Sequence, residues 1–243
     1  GHAEVVSMLL AKEGINVNQA TEHGVTSLYI ACSVGHAEVV AMLLAKQGVD
    51  VNQARNDGAT PLCAASQGDH AEVVSMLLAK QGVDVDQADD NGWSPLLIAS
   101  QYGHAEVVSM LLAKQGVDVN HTDEEGCTPL FIASEEGHAE VVSMLLAKEG
   151  INVNQATEHG WTPLFIASYK GHADVVSMLL AKEGINVNQA TNDGRTPLYL
   201  ASQEGHAEVV SMLLAKQGID VNHATNDGRT PLYLASLKGN AEV

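Results

Sequence analysis

The chain repeats itself every 34 residues, and no other feature limits its fold so tightly. His-Ala-Glu-Val-Val begins at His2, His36, His70, His104, His138 and His206, with His-Ala-Asp-Val-Val at His172. Gly-x-Thr-Pro-Leu recurs at Gly58, Gly126, Gly160, Gly194 and Gly228. Gly92 departs from it by Ser94, and Gly24 by Ser27, where the proline is missing. A period of this length marks a unit that cannot bury its own apolar flank and must stack on its copies.

One unit shows the local physics. Thr196-Pro197 is a helix start, because the hydroxyl accepts from an unpaired first-turn amide and proline suits the first helical position. Leu198-Tyr199-Leu200-Ala201-Ser202 predicts a short apolar helix, which Gly205 closes in the left-handed conformation. A second helix is expected over His206–Lys216, with Val209, Val210, Leu213 and Leu214 on one stripe and Glu208 and Ser211 on the wet side. After Gly218, Ile219-Asp220-Val221-Asn222 is expected to be extended, and Asn226-Asp227-Gly228 to turn the chain back to the next Thr-Pro.

This helix–turn–helix–hairpin unit resembles the ankyrin repeat, over the full chain. The complete repeats are 21–54, 55–88, 89–122, 123–156, 157–190 and 191–224, with partial units at 1–20 and 225–243. The last of these supplies a hairpin, a first helix and the opening of a second. The resemblance implies an all-α repeat solenoid, a single array over 1–243 of stacked helix pairs with projecting β-hairpin loops. Three departures stand out. The unit is one residue longer than the family's usual length of about 33. The family's histidine after Thr-Pro-Leu is replaced by Tyr29, Cys63, Leu97, Phe131, Phe165, Tyr199 or Tyr233, so packing is expected to take over a hydrogen-bonded tie between repeats. Asp69 stands where other repeats have glycine, which predicts strain in that turn.

Comparison of the copies locates a candidate surface. Five of the seven second-helix segments read His-Ala-Glu-Val-Val-Ser-Met-Leu-Leu-Ala-Lys. Variation gathers after the turn glycine (Val25, Ala59, Trp93, Cys127, Trp161, Arg195, Arg229) and at the end of the first helix. In ankyrin proteins the matching positions form the concave side that commonly contacts partners. A variable surface on an invariant scaffold suits recognition. The expected binding face centres on Trp93, Tyr102, Cys127, Trp161 and Tyr169, with both tryptophans exposed as anchors.

Charge sorts along the same face. Seven of the twelve basic residues are lysines ending second helices; Lys170, Arg195, Arg229 and Lys238 lie on the variable side near the C-terminal end. Its middle is acidic, with Asp89, Asp90, Asp123, Glu124, Glu125, Glu135 and Glu136. The implied partner is a protein with basic groups opposite repeats 89–156 and acidic groups opposite the last two units. A net charge of −18 speaks against nucleic acid. No apolar run is long enough to span a membrane.

Chemistry finds little foothold. Seven histidines hold one repeat position, and stacked helices lie roughly 8–10 Å apart, too far for neighbours to share a metal with bonds of about 2 Å. They are expected to pack between repeats at helix starts. Serines and histidines follow the repeat instead of breaking it at one place, and no phosphate loop, nucleophile elbow or paired-cysteine motif appears. Cys32, Cys63 and Cys127 are odd in number and far apart, which fits a reducing cytoplasmic or nuclear compartment. Cys32 and Cys63 are expected to be buried, and Cys127 to be a reactive thiol at a tip. The expectation is an interaction scaffold, with no enzyme activity, cofactor or metal. The competing reading is an elastic spacer with no dedicated ligand. Truncated end units suggest a segment of a longer array whose apolar end faces associate end to end.

Overall fold

The structure, a computed structural model, describes residues 2–239. It divides into two compact units, Gly1–Glu124 and Glu125–Val243. The first contains α1 (Ala3–Leu10), α2 (Ser27–Ser33), α3 (Ala37–Ala45), α4 (Pro61–Gln67), α5 (Ala71–Ala79), α6 (Pro95–Tyr102) and α7 (Ala105–Ala113). The second contains α8 (Pro129–Glu136), α9 (Ala139–Leu146), α10 (Pro163–Lys170), α11 (Ala173–Ala181), α12 (Pro197–Glu204), α13 (Ala207–Leu214) and α14 (Pro231–Lys238). Each unit is an all-α repeat solenoid. In the first, α2, α4 and α6 stack as one layer and α1, α3, α5 and α7 as another; in the second, α8, α10, α12 and α14 back onto α9, α11 and α13. The helix opening expected at 240–243 lies outside the described residues.

First helices start where sequence chemistry puts them. The Thr60, Thr128 and Thr162 hydroxyls accept from the amides of Cys63, Phe131 and Phe165 at 3.1–3.2 Å, with proline next in line. Thr26 caps α2 in the same way without a proline, bonding the Tyr29 amide at 3.0 Å. Second helices begin at a histidine that makes no side-chain cap; an acidic residue in the first turn meets the positive helix end instead. Their apolar stripe is the core: Val107, Val108 and Leu111, like Val176 and Leu179, have essentially no exposure.

Three expectations change. Second helices are shorter than the sequence pattern, ending at Leu214 rather than Lys216 in the 191–224 repeat, because the lysine turns away to a different task. The exit is a turn rather than an extended segment, closed by the Asp220 carboxylate accepting from the Asn222 amide at 3.1 Å. No β-strand occurs among the described residues; an isolated bridge joins Ala20 and Thr26. The tips are tight turns, as where the Thr191 amide donates to the Arg195 carbonyl and Gly194 to Thr191, both at 2.9 Å.

Neighbouring repeats are tied at three levels. At the tips the tie is main chain to main chain, as in Asp90 N to Asp57 O at 2.9 Å and Asn226 N to Asp193 O at 3.1 Å. At the turn between helices, the His172 and His206 rings bond the Glu135 and Tyr169 carbonyls of the preceding repeat at 2.9 Å. At the position after Thr-Pro-Leu, Phe165 and Tyr199 of neighbouring repeats share one buried cluster, so packing ties the repeats there as expected. Behind the second helices, Lys46 Nζ donates to Leu10 O, Lys114 to Leu78, Lys182 to Leu146 and Lys216 to Leu180, at 2.6–2.7 Å. Each ammonium meets an orphan carbonyl at the negative end of the previous repeat's helix.

Glycine at the inter-helix turn serves both dihedral angle and space. Gly171 has φ 77°, and a Cβ there would come within 2.7 Å of the His206 ring. Asp69 occupies the same turn position at φ 55°, the only non-glycine with positive φ among the described residues. The expected strain is present. His104 of the next repeat lies with Nδ1 3.7 Å from an Asp69 carboxylate oxygen, and its ring stacks on Tyr102 at 5.6 Å.

Candidate functional site

In the first unit the turn after each second helix brings a tip against the start of a first helix, and the tips of neighbouring repeats enclose hollows. Trp93 and Tyr102 meet in one of these, a space of about 350 Å³ that also takes in Tyr29, Arg55, Asp57 and Asp89. The Arg55 guanidinium lies 5.4 Å from the centre of the Tyr29 ring and pairs with the Asp57 carboxylate. Burial raises the Tyr29 pKa above its ordinary value, with Arg55 opposing the shift. Asp89 closes its own turn: Oδ1 accepts from the amides of Asn91 at 3.0 Å and Trp93 at 2.9 Å. Tyr102 is 48% exposed, and its hydroxyl accepts from Gln67 Nε2 at 3.4 Å. Glu124 is exposed and lines none of this space.

Two hollows lie at tips of the second unit. One, of about 350 Å³, is lined by Trp161, His159, Asn192, Asp193 and Arg195. Another, of about 390 Å³, includes Arg195, Arg229, Tyr199 and Gln203, so the Asp193–Arg195 pair is the wall between them. Arg195 Nε donates to Asp193 Oδ2 at 2.6 Å, and that bond holds the Asp193 pKa down at about 2 and raises that of Arg195. Arg229 Nε lies 3.0 Å from Asp227, whose pKa is lowered first by the Thr225 hydroxyl and then by Arg229. Lys170 pairs with Glu135 at 3.6 Å. Each of these cations therefore has an acidic partner within the unit. Tyr169, Glu125 and Glu136 are exposed outside the hollows.

Two predicted placements need correction. Neither tryptophan projects into solvent; both are half-buried. The Trp161 ring lies 5.6 Å from Phe165 and packs on the cluster of Phe165, Tyr199, Leu200 and Leu234. The residue after the turn glycine leans back onto the first helix, where an aromatic ring gains more from burial than from exposure. Cys127, expected to be an accessible thiol, is 6% exposed for the same reason. Cys32 and Cys63 are buried as expected, and burial pushes the Cys32 thiol up to about 12. No group of three or more His, Cys, Asp or Glu side chains suited to a metal occurs among the described residues.

Arg55, Asp57, Asp193 and Asp227 were not among the residues expected at the site, whereas Asp89 was expected on its acidic stretch. Arg55 carried a signal, standing alone at a position held elsewhere by threonine or aspartate.

Comparison with known proteins agrees with this architecture. The family described as "Ankyrin repeats (3 copies)" matches residues 47–123, 114–191 and 184–243, and "Ankyrin repeats (many copies)" matches 8–62. The chain belongs to the ankyrin repeat family. The crystal structure of the human ASB11 ankyrin repeat domain is similar to it, with 28% identity and a TM-score of 0.76, over 89% of this chain and 96% of that one. No curated protein matches the chain in sequence. Ankyrin repeats in general are modules of protein–protein interaction and typically non-enzymatic scaffolds. No helix among the described residues is long and apolar enough to cross a membrane.

Proposed function

We propose that this ankyrin repeat chain is an interaction scaffold that holds a partner protein against its tips and first helices. The observation that carries this reading is the siting of the hollows. All three described above are lined by tip and first-helix residues, and their side chains differ from repeat to repeat. The lysines behind the second helices are instead bonded to neighbouring repeats. Variable groups around concave space, on a frame fixed by other residues, can change specificity without changing the fold.

Affinity capture with the whole chain, read by mass spectrometry, tests the assignment. Tyr102→Ala and Arg229→Glu, made separately, should each lower retention of a genuine partner, by about tenfold where the residue is an anchor. Glu106→Lys and Glu140→Lys, on the exposed faces of second helices, should leave retention unchanged. The reverse pattern would place the contact on the other side and overturn the proposal.

A further inference from the structure

Three departures from the repeat in the first unit lie at or beside one place. Arg55 is the only arginine at its repeat position, Tyr102 the only aromatic at its own, and Asp69 the only non-glycine at its turn. Arg55 and Tyr102 line the hollow that contains Trp93, and Asp69 lies 3.7 Å from the His104 ring on which Tyr102 stacks. Here they build a single small space with three aromatic rings and two carboxylates.

The chemistry of that space suits a cation. Arg55 already shows the mode of binding, seated over Tyr29 and paired with Asp57, which leaves that carboxylate compensated. Asp89 has no such partner: both of its hydrogen bonds fall on Oδ1, and no basic group among the described residues pairs with it. Trp93 and Tyr102 stand around the same space, and no lysine or arginine lies over either ring among the described residues. Aromatic rings beside a carboxylate attract ammonium and guanidinium groups through ring quadrupole and charge together. About 350 Å³ is at the small end for ligand pockets, enough for one long side chain.

We propose that the hollow formed by Trp93, Tyr102 and Asp89 beside the Arg55–Tyr29 stack is a subsite for one basic side chain, lysine or arginine, of a partner polypeptide. This deepens the scaffold reading and rests on it.

The two tryptophans make the test internally controlled, since Trp93 lines the subsite and Trp161 belongs to the other unit. Capped Gly-Lys-Gly and Gly-Arg-Gly peptides, titrated into the 15N-labelled chain, should shift the Trp93 indole N–H signal saturably and leave that of Trp161 in place. Gly-(Nε-acetyllysine)-Gly, of similar size but neutral, should shift neither. Asp89→Asn keeps the Oδ1 acceptor that closes the turn and removes the charge, so it should weaken the cationic peptides about fivefold. Tyr102→Leu, at an exposed site, should weaken them to a similar degree. Equal response to the neutral peptide, or unchanged affinity in both variants, would overturn the subsite. Partner capture that still depends on the tips would, in that event, leave the scaffold reading standing.

Discussion

The two sides of each repeat use their polar side chains in opposite ways. Behind the second helices, a lysine reaches back to the previous repeat, as Lys182 does to Leu146 O at 2.6 Å. At the tips, the arginines close on an aspartate two residues away, as in Arg195–Asp193, Arg229–Asp227 and Arg55–Asp57. Tips do stack on one another, but largely through main-chain bonds that any residue supplies, such as Asn226 N to Asp193 O. The contrast explains which positions vary. A side chain that ties two repeats is constrained by both, whereas one that pairs inside its own turn can be exchanged while the stack holds.

The largest effect tests the shared frame. Leu179 on α11 has no exposure and sits in the apolar stripe between layers. Leu179→Ala should lower unfolding stability by about 2–5 kcal/mol in chemical denaturation. A loss near zero would mean that the second-helix stripe is not the core of the stack.

The comparison itself is sharpened by removing one cation from each side. Lys182→Met strips a charge-assisted bond from a part-buried helix end and leaves the Leu146 carbonyl without its donor, for an expected loss of about 1–2 kcal/mol. Arg195→Met removes a pair whose members are 38% and 51% exposed, so solvent screening limits the loss to about 0–1 kcal/mol. The Arg195 contribution also has a pH signature. Asp193 has a lowered folded pKa, so its share is present above the ordinary carboxylate range and disappears as pH falls through about 2. Equal losses in the two variants would erase the distinction between the sides.

What could be read from the sequence follows the same division. The caps at Thr60 and Thr162, the turn glycines and the Val–Leu stripe are local, and a few neighbouring residues determine them. The Asp69 turn belongs here too, since a left-handed position occupied by aspartate is visible without coordinates. The lysine ladder was not legible, because a lysine at a helix end reads equally as a solvated charge; its acceptor lies 36 residues back. Burial of Trp161 and Cys127 failed for a related reason. A residue after a turn glycine is exposed or covered according to how the tip leans on its helix, and 34-residue periodicity carries no such information. The hollow around Trp93 draws on three repeats, with Tyr29, Arg55 and Trp93 each from a different one.

A smaller effect, of opposite sign, should come from the strained turn. Asp69→Gly returns the left-handed position to the residue that occupies it without a Cβ penalty. Relief of that strain, partly offset by the freedom glycine adds to the unfolded chain, should stabilise the protein by about 0.5–1 kcal/mol. The substitution also removes the carboxylate beside His104. If the stacked His104 positions Tyr102, the variant should bind basic peptides more weakly although it is more stable. Stability and binding moving together would break the link drawn between that turn and the hollow.

An effect of similar size lies at the exit of the second helix, where one side chain normally does two jobs. Asn52 donates its amide to Gly82 O at 2.7 Å and accepts from the Asp84 amide at 2.9 Å; Asn154 and Asn188 repeat the pattern one repeat apart. Asp86 holds the same position and can only accept, taking the Asp118 amide on both carboxylate oxygens at 3.0–3.1 Å. Burial raises its pKa above the ordinary carboxylate value, against the pull of the Asp118 amide. A raised folded pKa means that the folded state holds the proton more tightly, so Asp86 costs stability at neutral pH. The cost is relieved as pH falls through the folded pKa and is absent below the unfolded one. Asp86→Asn restores the donor and removes the charge, and should add about 0.5–1 kcal/mol at pH 7. The gain should shrink on acidification, as the wild-type carboxyl takes up its proton and can donate in turn. A gain that stayed constant from pH 7 to pH 3 would show that the missing amide, rather than the buried charge, is what the aspartate costs this junction.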